Sequence, residues 1–454
     1  MKYINTSIFE LFEIGPGPSS SHTIGPMKAA LNFIGTLKGF STNIKRKVHK
    51  IDVFLYGSLS STGFGHCIHK AILAGLLGYL PSNVEAQFFK NLFSNLSESY
   101  NIYLAKKPIV FKFNNIHFKK TLYSSTYHNT LIFRAYTKEY KIFEREYYSI
   151  GGGFIKYKGE KTTVKNTPPH LFNNMKSLTD ILNITKMNIP QIILENEMAL
   201  LQLDKEKIYK KLKKIINVMF NSVNNGLKKE GYLPGTLKLQ RKASHIFNNT
   251  LKERNNFTKN MGLINSYAFS VSEENADSEI TVTAPTSGSC GVLPAIAYYN
   301  YKIKKIPLYK IYDGLLTAAT IGLIIKENAS LSGAEVGCQG EIGSASAMAA
   351  SFLCQIYNKP HNIIENSAEI ALEHHLGLTC DPIGGYVQIP CIERNAISAI
   401  KAYDAFIIAS MQKPETHKLT LDGTIKTMHE TGLDMLKKYK ETSRGGLAVC
   451  YINC

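Results

Sequence analysis

The stretch EHHLGLTCDPIGGYVQIPCIERN, residues 373–395, holds two cysteines whose surroundings favour chemistry over packing. Cys380 and Cys391 lie among five glycines and prolines, a content typical of tight irregular loops. A third cysteine, Cys338, lies upstream in GAEVGCQGEIG, where flanking glycines let the backbone turn closely around a bulky group. Three thiols carried on loops of this kind indicate a metal centre.

The spacing of these thiols favours one kind of centre. Zinc ribbons present paired C-x2-C knuckles, whereas these three cysteines are far apart in the sequence. Eight cysteines in 454 residues do not form a disulfide framework, which is typical of short secreted chains. Three thiolates leave one corner of a tetranuclear iron–sulfur cluster without a protein ligand, and such an iron can act as a Lewis acid. We therefore expect an iron–sulfur cluster.

Two other cysteines are predicted to pack rather than to bind metal. Cys354 lies in the apolar helical segment MAASFLCQIY, and Cys290 lies in TAPTSGSCG just before another apolar helix. A buried thiol usually behaves as a small hydrophobic group.

Three segments, GAEVGCQGEIG, AEIALEHHLGLTCDPIGG and VQIPCIERNA, resemble the iron–sulfur-dependent L-serine dehydratases of the single-chain bacterial type. The resemblance extends from Ser7 to the C-terminus. It implies a lyase that converts L-serine to pyruvate and ammonia on a [4Fe-4S] cluster held by Cys338, Cys380 and Cys391. The open iron would assist the departure of hydroxide, a poor leaving group at neutral pH. No pyridoxal phosphate is expected, because no lysine lies in a context that suggests its Schiff base.

Two loops rich in hydroxyl groups are candidates for binding the substrate carboxylate. Each precedes a predicted helix, whose N-terminal N–H groups attract anions. The first loop is a signature of the family, and the resemblance implies an active-site role for it; from the residues alone, an ordinary serine-rich helix cap is an equal alternative. The candidates are Ser19, Ser20, Ser21, His22 and Thr23 in the first loop, and Thr286, Ser287 and Ser289 in the second.

Two histidines, His66 and His128, are candidate bases for removal of the α-proton. His66 lies in a glycine loop and His128 at a predicted strand start, although a lone histidine more often satisfies local hydrogen bonds. The loop departs from the family pattern: TGKGHGTD is expected and TGFGHCIH is found, with Phe64, Cys67 and His69 at the varied places. The histidine is kept, but the acidic position is lost, which weakens any claim that a carboxylate there orients His66.

The hydrophobic periodicity predicts an α+β protein of two domains. An N-terminal α/β domain, residues 1–158, carries a strand–loop–helix at 51–77 and alternating, mainly antiparallel strands over 85–150. Residues 159–176 are charged and contain prolines, as a linker does. Residues 177–454 are helical and carry the cluster. Lys238, Arg241 and Lys242 in a break between helices are expected at the surface.

The formal net charge of +18 invites a nucleic-acid interpretation, which the lysine pattern disfavours. In DKEKIYKKLKKIINVMF the apolar residues recur at helical spacing, so the lysines form the solvated face of an amphipathic helix capped by Asp204. The N-terminus has no apolar leader core, and the most apolar run, 314–325, is too short to span a bilayer. We expect a cytoplasmic homodimer with no nucleic-acid or membrane partner.

Two rival functions remain open from the sequence. The first keeps the cluster and changes the substrate to L-threonine or a hydroxy-dicarboxylate. The second is a basic nucleic-acid-binding protein in which the cluster is structural or carries electrons. A structural cluster normally has four protein ligands, and nucleic-acid affinity falls steeply with salt.

The tail SRGGLAVCYINC places Cys450 and Cys454 after two glycines that let the chain turn. A mobile thiolate within reach of the open iron can cap it. We prefer Cys454 as this fourth ligand of the resting cluster, because a chain end enters a pocket without a return path. A surface tail with incidental thiols is the alternative.

Overall fold

A five-stranded sheet organises the N-terminal part of the chain. The computed structural model describes residues 3–120, 127–160, 166–413 and 416–450. The strand order is β5-β2-β6-β7-β8, and all pairs are antiparallel except β2 with β5. The strands are β2 (Lys50–Leu55), β5 (Ile116–Phe118), β6 (Thr130–Tyr136), β7 (Lys141–Ser149) and β8 (Ile155–Tyr157). A separate antiparallel hairpin joins β3 (Ser99–Leu104) and β4 (Lys107–Lys112).

Short helices alternate with these strands and share their core. Helices α2 and α5 pack against each other, and their apolar faces are buried with the inner side chains of the sheet, such as Phe33, Phe133 and Tyr147. The helices of this region are α1 (Ile8–Leu11), α2 (Gly25–Gly39), α3 (Thr42–Lys47), α4 (Ser58–Ser61), α5 (Ile68–Leu76) and α6 (Ala86–Asn91).

The rest of the described chain is almost entirely helical. Helix α15 lies at the centre of this helical region and packs against α12, α13, α16 and α17. The helices are α7 (Met175–Thr185), α8 (Ile189–Leu201), α9 (Lys205–Gly226), α10 (Ala243–Lys252), α11 (Asn256–Ala276), α12 (Val292–Lys302), α13 (Leu308–Asn328), α14 (Gly333–Val336), α15 (Ile342–Ile356), α16 (His361–Glu373), α17 (Cys391–Met411) and α18 (Leu421–Asp434). The α+β class, with sheets in the N-terminal region and helices after it, is confirmed in this coarse form.

The first residues of the chain belong structurally to the helical region. Strand β1 (Ile14–Pro16) pairs antiparallel with β9 (Ile280–Val282), which follows α11. Ile8, Leu11 and Phe12 are buried in the same apolar core as the helical region. The N-terminal segment therefore crosses from one region to the other, and the division at residues 158 and 177 stays a prediction.

Helix α9 has the amphipathic character that its sequence predicts. The Asp204 carboxylate caps it by accepting a hydrogen bond of 2.8 Å from the backbone N–H of Lys207. Ile208, Leu212, Ile215 and Met219 are buried, and its lysines are exposed. The lysine run is thus a solvated helix face.

Arg241 was predicted to lie at the surface, and the structure shows that this prediction is wrong. Its guanidinium is buried and bonds to Glu274 at 3.0 Å and to Asp277 at 2.8 Å. Glu274 lies on α11 and Asp277 directly follows that helix, both more than thirty residues away, so only tertiary packing brings them to Arg241. A buried ion pair of this kind is strongly destabilised when one partner is lost.

The apolar run near residues 314–325 is part of the core. Among the described residues, α13 alone is long and apolar enough to cross a membrane, with a mean hydropathy of 1.4, and 78% of that window is buried inside the protein. A helix largely surrounded by other helices has this composition because most of its surface is kept from water.

Candidate active site

The three loop cysteines converge where α14, α16 and α17 meet. Cys338 begins a 3-10 turn between α14 and α15, Cys380 lies in the loop after α16, and Cys391 is the first residue of α17. Cys338 and Cys380 are 4% and 6% exposed and share a small apolar cluster. A hydrogen bond from the Cys380 thiol lowers the pKa of Cys338, and the nearby charge of Cys338 adds to burial in raising the pKa of Cys391. The fold thus brings the three together.

Arg394 is the cation of this thiol group. It lies one turn after Cys391 on α17 and donates to the Thr379 carbonyl at 2.7 Å and to Asp381 at 3.2 Å. These contacts hold the guanidinium beside the sulfurs. Burial by itself would lower the pKa of Arg394, but the negative charges of the cysteine sulfurs raise it. A guanidinium near thiols favours the thiolate form, which is the form that binds metal.

The glycines around the cysteines bring the backbone close to the thiols. A Cβ atom on Gly333 would lie 3.1 Å from the Cys380 sulfur and 2.7 Å from Glu341 Oε2. Gly337, directly before Cys338, has φ of +76°, a conformation that glycine adopts without strain. The buried thiols, the adjacent guanidinium and the side-chain-free backbone fit an iron–sulfur cluster.

The remaining described cysteines have different surroundings. Cys290 and Cys354 are fully buried, and burial raises the pKa of each thiol to about 12. The Cys354 thiol bonds to Ser367 at 3.1 Å inside the helical core. Cys450 is exposed, and Cys454 lies outside the described residues.

The SSSHT loop forms a π-helical turn, Ser20–Ile24, that leads directly into α2. All five of its predicted substrate-binding side chains are buried. The His22 ring is fixed on both sides: Nδ1 lies 2.8 Å from the Ser21 hydroxyl, and Nε2 lies 3.2 Å from both Ser58 and Thr62. Burial lowers the pKa of His22 to about 4. The loop is therefore a preformed hydrogen-bond network.

His66 lies against this network and keeps both ring nitrogens free. Its ring meets that of His22 edge to face, with centroids 4.5 Å apart, and its backbone carbonyl accepts a bond of 2.8 Å from Thr23. The side chain is 1% exposed, and neither nitrogen has a hydrogen-bond partner among the described residues. Burial, with the adjacent His22, lowers the pKa of His66 well below its usual value, so the imidazole is neutral.

His128 lies elsewhere, on a basic cleft of about 750 Å³. It is exposed, and burial together with Lys437 lowers its pKa. Ser58 lines the same cleft while bonding to His22, so the cleft opens beside the histidine network. The structure thus separates the two predicted bases: His66 is inside and His128 is at the opening. The cations that line the cleft are Lys119, Lys120, Lys437, Lys438, Lys440 and Arg444.

The second hydroxyl loop reaches the thiols through Glu341. Thr286, Ser287 and Ser289 are buried before α12, and the Thr286 and Ser289 hydroxyls lie 3.0 Å apart. Thr286 also bonds to the Glu341 carboxyl, whose pKa burial raises to about 7. Glu341 Oε2 in turn lies 3.9 Å from the Cys380 sulfur. This loop therefore adjoins the thiol group.

Glu441 is a site residue that sequence reasoning missed. Its backbone N–H donates to the Cys380 carbonyl at 2.7 Å, and Cys380 donates to the Tyr439 carbonyl at 2.8 Å. This pairing holds the buried carboxyl 3.5 Å from His22 Nδ1. Burial and the charges of Glu341 and Cys338 raise its pKa well above its usual range. Glu341 and Arg394 were also missed, although each lies three residues after a predicted ligand.

Metal-capable side chains other than cysteine also converge here. Within the described ranges, one group of three has all its ligand atoms within 4.8 Å of one another, and it consists of His22, His66 and Glu441. The three cysteine sulfurs are not all within that distance of one another.

The altered positions of TGFGHCIH build an aromatic cluster in place of an acidic group. Phe64 stacks on His69 with centroids 4.8 Å apart, and His69 also meets Phe113 edge to face at 5.8 Å. His69 is buried in this cluster, and Cys67 is the N-cap residue of α5. The carboxyl nearest to the histidine network therefore comes from Glu441, at the other end of the chain.

Comparison with known proteins defines the class. The family profile described as serine dehydratase beta chain matches residues 7–160, and that described as serine dehydratase alpha chain matches residues 184–448. The chain belongs to the serine dehydratase family and is an enzyme of the L-serine dehydratase kind.

The similarity to individual relatives covers almost the whole chain. The L-serine dehydratase of Streptomyces coelicolor is 42% identical, with 99% of each chain covered. The L-serine dehydratase of Haemophilus influenzae is 41% identical over 98% of both chains, and L-serine dehydratase 2 of Escherichia coli is 38% identical over 99% of both. The resemblance found in the sequence is thereby confirmed.

The contact between Gly65 and Gly385 generates a prediction. A Cβ atom on Gly65 would lie 2.8 Å from the Gly385 carbonyl oxygen, so Gly65→Ala must move the His66 loop away from the Cys380 loop. We expect kcat/KM for L-serine to fall about 100-fold, because misplacing a reacting group by about 1 Å costs that much.

The matched control is Gly35→Ala on α2, where a Cβ atom meets nothing within 4 Å. It should keep normal activity and melt at the same or a slightly higher temperature. Normal activity in Gly65→Ala would mean that the contact between these loops does not position the site.

Proposed function

We propose that this protein dehydrates and deaminates L-serine with a [4Fe-4S] cluster held by Cys338, Cys380 and Cys391. The observation that carries this proposal is the convergence of two buried thiols, Cys338 and Cys380, and the half-buried Cys391 beside Arg394, at a site that also holds the unpartnered buried imidazole of His66. The family membership and the names of the relatives support the same substrate. L-threonine stays the alternative substrate, since one extra methyl group is weakly discriminated in a pocket.

The elimination divides between the cluster and the protein side chains. When bound, the cluster supplies a Lewis acid, an iron without a protein thiolate that assists the departure of the β-hydroxyl group. The protein must remove the α-proton and hold the carboxylate. Loss of the α-proton and hydroxide yields aminoacrylate, which tautomerises to an imine, and water hydrolyses the imine to pyruvate and ammonia.

His66 is the proposed base. A base must accept a proton, and burial keeps this imidazole neutral with both nitrogens free. His22 is less suited because each of its nitrogens already has a hydroxyl partner, so we assign it a positioning role. His128, exposed at the opening of the basic cleft, is assigned to substrate entry instead of proton transfer.

The hydroxyl loops are the proposed binding site for the substrate carboxylate. Ser19, Ser20, Ser21 and Thr23 lie at the entry of α2, and Thr286, Ser287 and Ser289 at the entry of α12. Buried hydroxyl and N–H donors at a helix entry suit an anion that is removed from water.

The tail is proposed to cap the open iron through Cys454. Leu447 N–H donates to Asp381 at 2.8 Å, and the Ser443 hydroxyl donates to the Pro382 carbonyl at 2.7 Å. These bonds tie residues 443–447 to the loop that carries Cys380. The turn needs Gly446, where φ is +62° and a Cβ atom would collide with Asp381. From Cys450 the chain can then extend about 13 Å to Cys454.

We further propose a cytoplasmic homodimer. The exposed apolar side chains at the C-terminal end of α17, Ile407, Ile408 and Met411, support a subunit contact there. The nucleic-acid alternative loses support because the lysine run of α9 is a helix face opposite a buried apolar stripe.

The ligand assignment predicts two classes of cysteine variant. Cys338→Ala, Cys380→Ala and Cys391→Ala should each lose the visible absorption of the anaerobically reconstituted cluster together with turnover of L-serine. Cys354→Ala should keep both, because its thiol bonds only to Ser367 and Ile363 in the helical core. Loss of the cluster in Cys354→Ala, with retention in any of the other three, would refute the ligand set.

The base assignment predicts that His66→Ala lowers kcat by about two orders of magnitude or more. Iron content should stay at the wild-type value, since His66 is not a proposed ligand. His128→Ala is the comparison: it should keep far more activity, because its side chain lies at the cleft opening. The opposite ranking of the two variants would transfer the role of base to His128.

The tail assignment predicts faster cluster decay in air for Cys454→Ser when L-serine is absent. A thiolate on the open iron shields it from oxygen, whereas anaerobic turnover with substrate bound needs no shield. Cys450→Ser, an exposed thiol of the same tail, serves as the control and should decay like the wild type. An unchanged decay rate in Cys454→Ser would exclude the cap.

A further inference from the structure

Glu441 is a buried acidic side chain with no cationic partner among the described residues. It is 6% exposed, and its Oε2 atom has no hydrogen-bond partner there. Its Oε1 atom lies 3.5 Å from His22 Nδ1, but burial keeps that imidazole neutral. This acid stays neutral unless a cation accompanies it, because removing an unpaired carboxylate from water costs several kcal/mol. Such a group at an active site calls for a positively charged ligand.

The backbone at Glu441 is held in an unfavourable conformation to place this carboxyl. Its φ is +56°, in the left-handed region that a residue with a Cβ atom rarely adopts. Two backbone hydrogen bonds with the Cys380 segment, of 2.8 and 2.7 Å, hold it there. Strain of this kind persists only where the surrounding structure enforces it, and it concentrates at binding and catalytic sites.

The substrate brings the missing cation. L-serine carries a hydroxyl group, a carboxylate and an α-ammonium group, and the first two are assigned above to the open iron and the hydroxyl loops. The ammonium group has three N–H donors and needs an anionic acceptor. The ligand atoms of Glu441 and His66 lie within 4.8 Å of each other. That span lets one group hold the ammonium nitrogen while the other reaches the hydrogen on the same α-carbon.

We propose that Glu441 binds the α-ammonium group of the substrate and thereby selects amino acids over hydroxy acids. The proposal rests on the proposed function for the location of the substrate. It disfavours the hydroxy-dicarboxylate alternative, because a second carboxylate in place of the ammonium group would face Glu441 across a buried site. It does not distinguish L-serine from L-threonine, since both carry the same ammonium group.

An inorganic cation at His22, His66 and Glu441 is the competing explanation. The geometry favours the organic cation because His22 already gives both nitrogens to Ser21, Ser58 and Thr62, leaving no lone pair for a metal in that network. An ammonium group needs acceptors only from Glu441 and the adjoining hydroxyls.

The test uses Glu441→Gln, which keeps the shape of the side chain and removes its charge. KM for L-serine should rise about 10- to 100-fold, as expected for loss of a charged hydrogen bond. The inhibition constant of 3-hydroxypropanoate, which has the carboxylate and hydroxyl but no ammonium group, should stay unchanged. Calorimetric titration of the anaerobic holoenzyme with L-alanine, which keeps the ammonium group but has no hydroxyl group to lose, and with 3-hydroxypropanoate checks the same preference without turnover.

Two further variants make the outcome decisive. Glu430→Gln, an exposed carboxylate on α18, should behave as the wild type. Glu441→Asp keeps the charge and should restore part of the L-serine affinity, which also answers the case in which Glu441→Gln folds poorly. Equal weakening of L-serine and 3-hydroxypropanoate in Glu441→Gln would reduce Glu441 to a structural role and overturn the proposal.

Two further outcomes separate this proposal from its rivals. Zinc or manganese binding by the wild-type holoenzyme that is lost in Glu441→Gln, without a change in the L-serine to 3-hydroxypropanoate ratio, would identify a metal site and overturn the proposal. Wild-type holoenzyme that binds L-serine through Glu441 but does not turn it over would instead refute the proposed function.

Discussion

The arrangement of the site depends on burying several acidic groups beside very little positive charge. Cys338, Cys380 and Cys391 meet at the junction of three helices, with the carboxyl groups of Glu341 and Glu441 nearby and Arg394 as the adjacent cation. Ions taken from water cost several kcal/mol each unless they are paired. Arg394 is therefore held in place by Asp381 and by the Thr379 carbonyl. The elements that carry these groups must pack in one fixed arrangement to keep the guanidinium beside the acidic groups.

The two regions of the chain meet at this centre. The helical region supplies the thiols, and the sheet region supplies the histidine and hydroxyl network around His22 and His66. Two contacts hold them together: the β1–β9 pair and the close approach of Gly65 to Gly385. Within the sheet region, the bond from the Ser149 hydroxyl to the Ser21 carbonyl at 2.7 Å fixes the SSSHT loop to the sheet. A base on one region can reach a substrate bound by the other only while these contacts persist.

The chain's positive charge is separate from this chemistry. The lysines of α9 cover a buried apolar stripe, and those around the 750 Å³ cleft lie at the opening beside Ser58. In the interior of the site, the ionisable side chains are mainly acidic groups and neutral imidazoles. The net charge of +18 thus describes the surface, and the reaction depends on the interior.

The sequence by itself determined the α+β class, the amphipathic α9 with its Asp204 cap, and the family, because periodicity, capping and loop motifs are local signals. It also pointed to the three loop cysteines, since glycine-rich flanks are visible within a few residues. Only the tertiary structure placed Glu441 beside Cys380 and His22, paired Arg241 with Glu274, and distinguished His66 from His128. These facts depend on contacts between residues that are tens to hundreds of positions apart, and burial, which sets the state of each group, is a property of the packed fold alone.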